Sequence, residues 1–208
     1  MNIFFGLVAA YLLGSIPTAY IFGKVLKGID IRQQGSGNVG ATNAFRILGK
    51  GPGTIVLLLD ILKGALAITL IGNLFHFDKV YLRVLLGMMV IIGHNWTVFL
   101  QFKGGKGVAT SLGVLIGLAI QYEALRIVLL WTLGSWIICF LVSRFVSLSS
   151  LVAALVLPIV MFATYQSQEM LVLGMVFCVF IFVRHASNIQ RLLAGQERQV
   201  NFPFKRNK

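Results

Sequence analysis

Residues 53–75 read GTIVLLLDILKGALAITLIGNLF. As a helix, these 23 residues would extend about 35 Å, enough to cross a hydrocarbon core of about 30 Å. Within the run, Asp60 and Lys63 carry charge. Ionisable groups at such depth are rare and are usually paired and turned inward; the i, i+3 spacing sets these two side by side. They read as a structural ion pair rather than a substrate site. An apolar run of this length, with one neutralised pair inside it, is a transmembrane helix.

Six more apolar windows flank it, at 3–23, 80–100, 108–120, 124–142, 148–165 and 170–183; those at 108–120 and 170–183 are short. The window at 108–120 follows a glycine-rich loop, which is therefore expected to dip below the headgroups and share the membrane depth. Backbone without helix is tolerated there only when protein or a wet cavity surrounds it. Of the 208 residues, 58% are hydrophobic and 12% charged, with a mean hydropathy of +0.89. A soluble domain carries roughly 25% charged residues, so a water-facing fold is excluded. The expected fold is all-α, a single polytopic membrane domain over 1–208 with seven transmembrane helices. The first run lacks a basic leader and a cleavage site, so it reads as a span rather than a signal peptide. Pro17 and Pro158 should kink their helices. Cys139 and Cys178 fall in separate apolar runs and read as small hydrophobes, not a disulfide or metal pair.

The net charge is +12. The basic residues are scattered over the connections between spans instead of forming one soluble face, which excludes nucleic acid as a partner and favours topology, lipid headgroups or phosphate-bearing substrates. Alternating the connections puts fourteen on one side (Lys24, Lys27, Arg32, Arg46, Lys50, Lys103, Lys106, Arg144, Arg184, Arg191, Arg198, Lys205, Arg206, Lys208) and three on the other (Lys79, Arg83, Arg126). The positive-inside rule then places the amino terminus outside and the carboxyl terminus in the cytosol.

Three polar segments share that inner side. The first, Gly35 to Arg46, reads GSGNVGATNAFR. Its small residues let backbone N–H groups converge on an anion, although Gly, Ser and Asn also make ordinary surface loops. Gly35, Gly37 and Gly40 match G-x-G-x-x-G, but no βαβ unit surrounds them, so a dinucleotide site is excluded on context. The second contains GHNW at 93–96 and FKGGKGVATS at 102–111. A glycine loop that opens a helix offers free N–H groups and the positive dipole end to phosphate. Lys106 is followed by Gly107 rather than Ser or Thr, so this is not an ATP-hydrolysing loop. His94 reads equally as a hydrogen-bonded residue at a helix end or as part of a site. The third, RHASNIQR at 184–191, would place His185, Asn188 and Arg191 on one stripe if the last helix runs on. Beside all these cations stand just two carboxylates, Asp30 and Glu197, so a divalent metal lacks ligands.

In order along the chain, LGSIP (13–17), GSGNVGATN with Arg46, Asp60-x-x-Lys63-Gly64, GHNW, FKGGKGVAT and His185-x-x-Asn188-x-x-Arg191 with Gly195-x-Glu197 carry a family resemblance. The chain resembles the bacterial membrane acyl-phosphate:glycerol-3-phosphate acyltransferases, the PlsY family, over its whole length. The resemblance implies transfer of a fatty acyl group from acyl phosphate to the sn-1 hydroxyl of glycerol 3-phosphate. This yields lysophosphatidic acid and phosphate, the first step of phospholipid synthesis, at the cytosolic face of the bacterial inner membrane. No cofactor or metal is implied, membrane lipid is the surrounding partner, and a monomer is compatible with the motifs. Catalytic roles fall on Ser36, His185 and Asn188, with Glu197 structural. Substrate and phosphate contacts fall on Asn38, Asn43, Arg46, Gly104, Gly105, Lys106, Gly107, Thr110 and Arg191. The rival class, a transporter of a phosphorylated metabolite, calls for an inverted repeat or polar residues reaching the outer face, and the sequence offers neither convincingly.

Overall fold

The computed structural model describes residues 2–200, and Lys205, Arg206 and Lys208 of the expected inner charges lie outside the described residues. Among the described residues every regular element is helical. The window at 3–23 becomes two helices, α1 (Asn2–Ser15) and α2 (Thr18–Lys27). Pro17 has no N–H to continue the ladder, so the expected kink is a break, and the Ile16 carbonyl at the break accepts from Lys63 Nζ at 3.1 Å. After α3 (Ala41–Leu48), α4 (Lys50–Leu66) runs through a π-helical turn at Ala67–Ile71 into α5 (Gly72–Leu74). Then come α6 (Val80–Asn95), α7 (Val108–Gln121), α8 (Leu125–Ser143), α9 (Val146–Ala163), α10 (Gln168–Arg184) and α11 (Ala186–Leu193). Asn2–Lys27, Lys50–Leu74, Val80–Leu100, α8 and α9 are long and apolar enough to cross a membrane; α10 with α11 forms a sixth stretch bent by 61°, and α7 is a shorter apolar helix. Pro158 stays within a continuous α9.

Small residues set the helix crossings. A Cβ added to Gly64 of α4 would lie 2.3 Å from the Thr110 carbonyl oxygen, and one on Gly113 of α7 would lie 1.9 Å from that of Ile61. The α1–α6 crossing repeats the device at Gly14 and Gly93, where a Cβ would meet the Val90 and Tyr11 carbonyl oxygens at 2.0 and 2.2 Å. Without a hydrophobic drive between helices in lipid, such close backbone approach supplies the packing. Leu86, Val90, Val114, Leu118 and Phe177 fill the core between α6, α7 and α10, while α8 is largely uncovered by protein.

Two buried polar arrangements brace this core. Asp60 accepts from Lys63 and Thr18, both at 2.8 Å, with His94 Nδ1 3.7 Å away. Arg83, expected in an outer connection, is instead buried in the first turn of α6. Its Nη1 donates to the Ile68 carbonyl in the π turn at 2.6 Å and its Nη2 to Asn73 Oδ1 at 2.8 Å. Cys139 and Cys178 are free thiols on α8 and α10.

Candidate active site

The connection between α2 and α3 is shaped by one asparagine. Asn43 is buried; its Nδ2 donates to the Ile31 and Gln34 carbonyls at 3.3 and 3.0 Å, and its Oδ1 accepts from Ser36 N–H at 3.0 Å. Both ends of the Asn43 amide are thus engaged by the loop's own backbone, which suits it to shape the turn. Gly35 and Gly37 take positive φ of 63° and 70°, a conformation that other residues resist, and the turn leaves Ser36 and Asn38 lining a cavity. Nearby, Arg32 Nη2 and the Asp30 carboxylate pair at 2.7 Å.

Between α6 and α7 the glycine loop lies against the end of α6. Gly104 N–H donates to the Asn95 carbonyl at 3.1 Å and Gly105 N–H to that of His94 at 3.0 Å. The expectation of free N–H donors at Gly104 and Gly105 is therefore corrected: these groups satisfy the α6 C-terminus. Both residues must be glycine for another reason, because a Cβ on Gly105 would lie 2.1 Å from His94 Nε2 and one on Gly104 2.1 Å from the His94 carbonyl oxygen. Gly107, at φ 81°, turns the chain into α7. Thr110 is fully buried, and its hydroxyl has no hydrogen-bond partner among the described residues. Lys106 reaches the cavity, and its ammonium donates to Asn188 Oδ1.

The third segment does not continue as one helix. The chain bends at His185, between α10 and α11, so the expected single stripe is replaced by a corner. Because a carbonyl only accepts, the 2.7 Å contact of His185 Nδ1 with the Ile181 oxygen puts the proton on Nδ1 and leaves Nε2 as the acceptor. Glu197 ties the corner together: it accepts from Asn188 at 2.6 Å, Arg191 at 2.7 Å and Ser147 at 2.8 Å. Burial pushes its carboxyl up, but these three hydrogen bonds outweigh that and leave it below the ordinary carboxylate range.

The three segments line one cavity of about 740 Å³, with Ser36, Asn38, Gly104, Lys106, Arg184 and Arg191 on its walls. Burial pushes the Lys106 ammonium down to about 8; Glu197 opposes the shift, and Arg191, Arg184 and Arg46 add to it. His185 falls to about 4, first through burial and then through the Lys106 charge, against the Ile181 carbonyl and Glu197. Along the cavity wall Arg32, Lys103, Lys106, Arg184 and Arg191 outweigh the one lining carboxylate, Asp30, so the local field is positive. Among the described residues no group of three or more His, Cys, Asp or Glu is placed to hold a metal.

A model of the family described as glycerol-3-phosphate acyltransferase matches residues 4–195. The chain belongs to the glycerol-3-phosphate acyltransferase family. It is 46% identical to the glycerol-3-phosphate acyltransferase of Trichormus variabilis, over 93% of this chain and 89% of that one. With glycerol-3-phosphate acyltransferase 2 of Moorella thermoacetica it shares 44% identity, over 93% and 95%. The crystal structure of PlsY (YgiH), an integral membrane glycerol 3-phosphate acyltransferase in its glycerol 3-phosphate form, superposes with a TM-score of 0.87 at 38% identity, over 97% of this chain and 96% of that one. Its lysophosphatidic acid form gives 0.84. In this acyltransferase the geometry brings Ser36, Asn38, Lys106, Asn188 and Arg191 together, with His185 beside them. Arg46 is exposed on α3 and is felt electrostatically by Lys106. The sequence reading missed Arg184, Arg32 and Lys103, which also line the cavity; in sequence each reads only as an inward charge.

Proposed function

We propose that this integral membrane enzyme acylates the sn-1 hydroxyl of glycerol 3-phosphate, using a fatty acyl phosphate as donor and releasing lysophosphatidic acid and phosphate. The observation that carries the reading is the cavity itself. Lys106, Arg184 and Arg191 supply positive charge for two phosphates, and an acyl phosphate is already activated, so orientation and charge stabilisation suffice. Lys106 and Arg191 hold phosphate, with Gly104, Gly105 and Gly107 giving the loop its shape. Ser36 and Asn38 face the developing oxyanion. Asn188 and His185 Nε2 orient the attacking hydroxyl. A group that protonates near 4 is a weak base at neutral pH, so His185 positions, and the departing phosphate takes the hydroxyl proton as the ester bond forms and the anhydride bond breaks. A covalent Ser36 intermediate is unnecessary.

The same reading makes residues 1–208 one domain with seven spans, α7 being the short one and the α10 span ending at Arg184. The amino terminus is outside, and the site faces the cytosol of the bacterial inner membrane. In this reading the acting unit is a monomer. The test uses protein reconstituted in lipid with palmitoyl phosphate and glycerol 3-phosphate. Phosphate release that needs both substrates supports the reading; passage of glycerol 3-phosphate across vesicles without phosphate release would make the protein a transporter.

A further inference from the structure

The two peptide units at Gly104 and Gly105 are held from both sides. Their N–H groups donate to the Asn95 and His94 carbonyls at 3.1 and 3.0 Å. Their carbonyls accept from one side chain: Arg184 Nη2 donates to Gly104 O at 3.0 Å, and Arg184 Nε and Nη2 donate to Gly105 O at 3.0 and 2.8 Å. The guanidinium in turn lies over the Trp96 ring, 5.8 Å from its centroid. Beneath the loop the His94 ring occupies the place a Gly105 side chain would need. Lys106 leaves this clamped strip directly. Arg184 is the covalent neighbour of His185 and lies across the corner from Asn188, four residues on, which Lys106 contacts.

We propose that Arg184 is a positioning residue, which keeps the Lys106 loop in register with His185 and Asn188 by gripping the Gly104 and Gly105 carbonyls. The grip also covers two carbonyl oxygens that would otherwise turn partial negative charge toward an incoming phosphate. A planar fork that donates from two nitrogens can fix the orientation of two peptide planes; a lysine ammonium cannot. The inference rests on the reading of Lys106 as the phosphate holder and of His185 and Asn188 as the groups that orient the hydroxyl.

The test compares full-length wild type, Arg184→Lys, Arg184→Gln and Lys106→Ala in lipid. Both Arg184 variants should lose about 10- to 100-fold in kcat/KM, the size of a misplacement near 1 Å, with Tm within about 3 °C of wild type. In substrate-free protein, amide exchange should rise in the 101–110 peptide and stay unchanged elsewhere. If Arg184→Gln does not fold, Arg184→Lys, which keeps the charge, carries the same comparison. Wild-type activity in Arg184→Lys would mean that any cation serves, and unchanged exchange at 101–110 would mean that the loop does not depend on the grip; either overturns the proposal. A fully active Lys106→Ala would instead sink the reading of the site, whereas an inactive Lys106→Ala beside an unimpaired Arg184→Lys removes the positioning role alone.

Discussion

Lys106 gives a pH prediction. It protonates near 8 in the free protein because burial outweighs the nearby Glu197 carboxylate, so it loses its charge as pH rises through that value. On the site reading, kcat/KM should fall on an alkaline limb near pH 8, and kcat should fall at higher pH, since bound phosphate favours the charged form. Glu197→Gln removes the carboxylate that raises the Lys106 pKa and should move the kcat/KM limb downward, a shift that pH–rate profiles of both proteins would reveal. Asp60 gives a stability prediction. Its partner Lys63 is buried with it, and removing one member of a buried pair costs about 3–5 kcal/mol. Asp60→Ala should therefore lower Tm sharply, while the double variant Asp60→Ala, Lys63→Met should recover part of the loss, the Ile16 carbonyl and Thr18 hydroxyl still lacking their partners; thermal unfolding in detergent measures both.

Among the elements, α7 crosses α4 where Gly113 meets the Ile61 carbonyl. Gly113→Leu should separate the two helices and destabilise by about 1–3 kcal/mol or more, seen as a lower Tm with activity falling in parallel. The positions of the apolar helices were readable from the length of the runs, because the bilayer fixes that length. The breaks were less so. Pro17 signals an interruption, but a proline tells nothing of whether the helix bends or stops; here Lys63 stabilises the stop by taking the Ile16 carbonyl. No comparable signal marks the corner at His185 or the π turn at Ala67–Ile71, since both are met by distant partners, Glu197 on the returning chain and Arg83 on the next helix. In the site, residue type singled out Ser36, Lys106 and Arg191, which line the cavity, but gave Arg32, Lys103 and Arg184 only as inward charges. It could not tell Asn43, whose amide closes a loop, from Asn188, whose amide meets Lys106: the two differ only in what folds against them.

For the molecule as a whole, the charge asymmetry yields a topological prediction. In a chain with Cys139→Ala and Cys178→Ala, a single Gln190→Cys should react with an impermeant thiol reagent only in inverted vesicles, and Glu123→Cys only in right-side-out ones; the reverse pattern would invert the proposed orientation. The brevity of α7 has its own consequence within the seven-span reading. Its 14 residues give about 21 Å of helix, some 9 Å less than the hydrocarbon thickness of about 30 Å. Each methylene drawn out of lipid costs about 0.8 kcal/mol. On that reading, a reaction plane sunk by those missing turns would spare an acyl-phosphate donor that extraction, and the water-soluble reactant would make the descent instead.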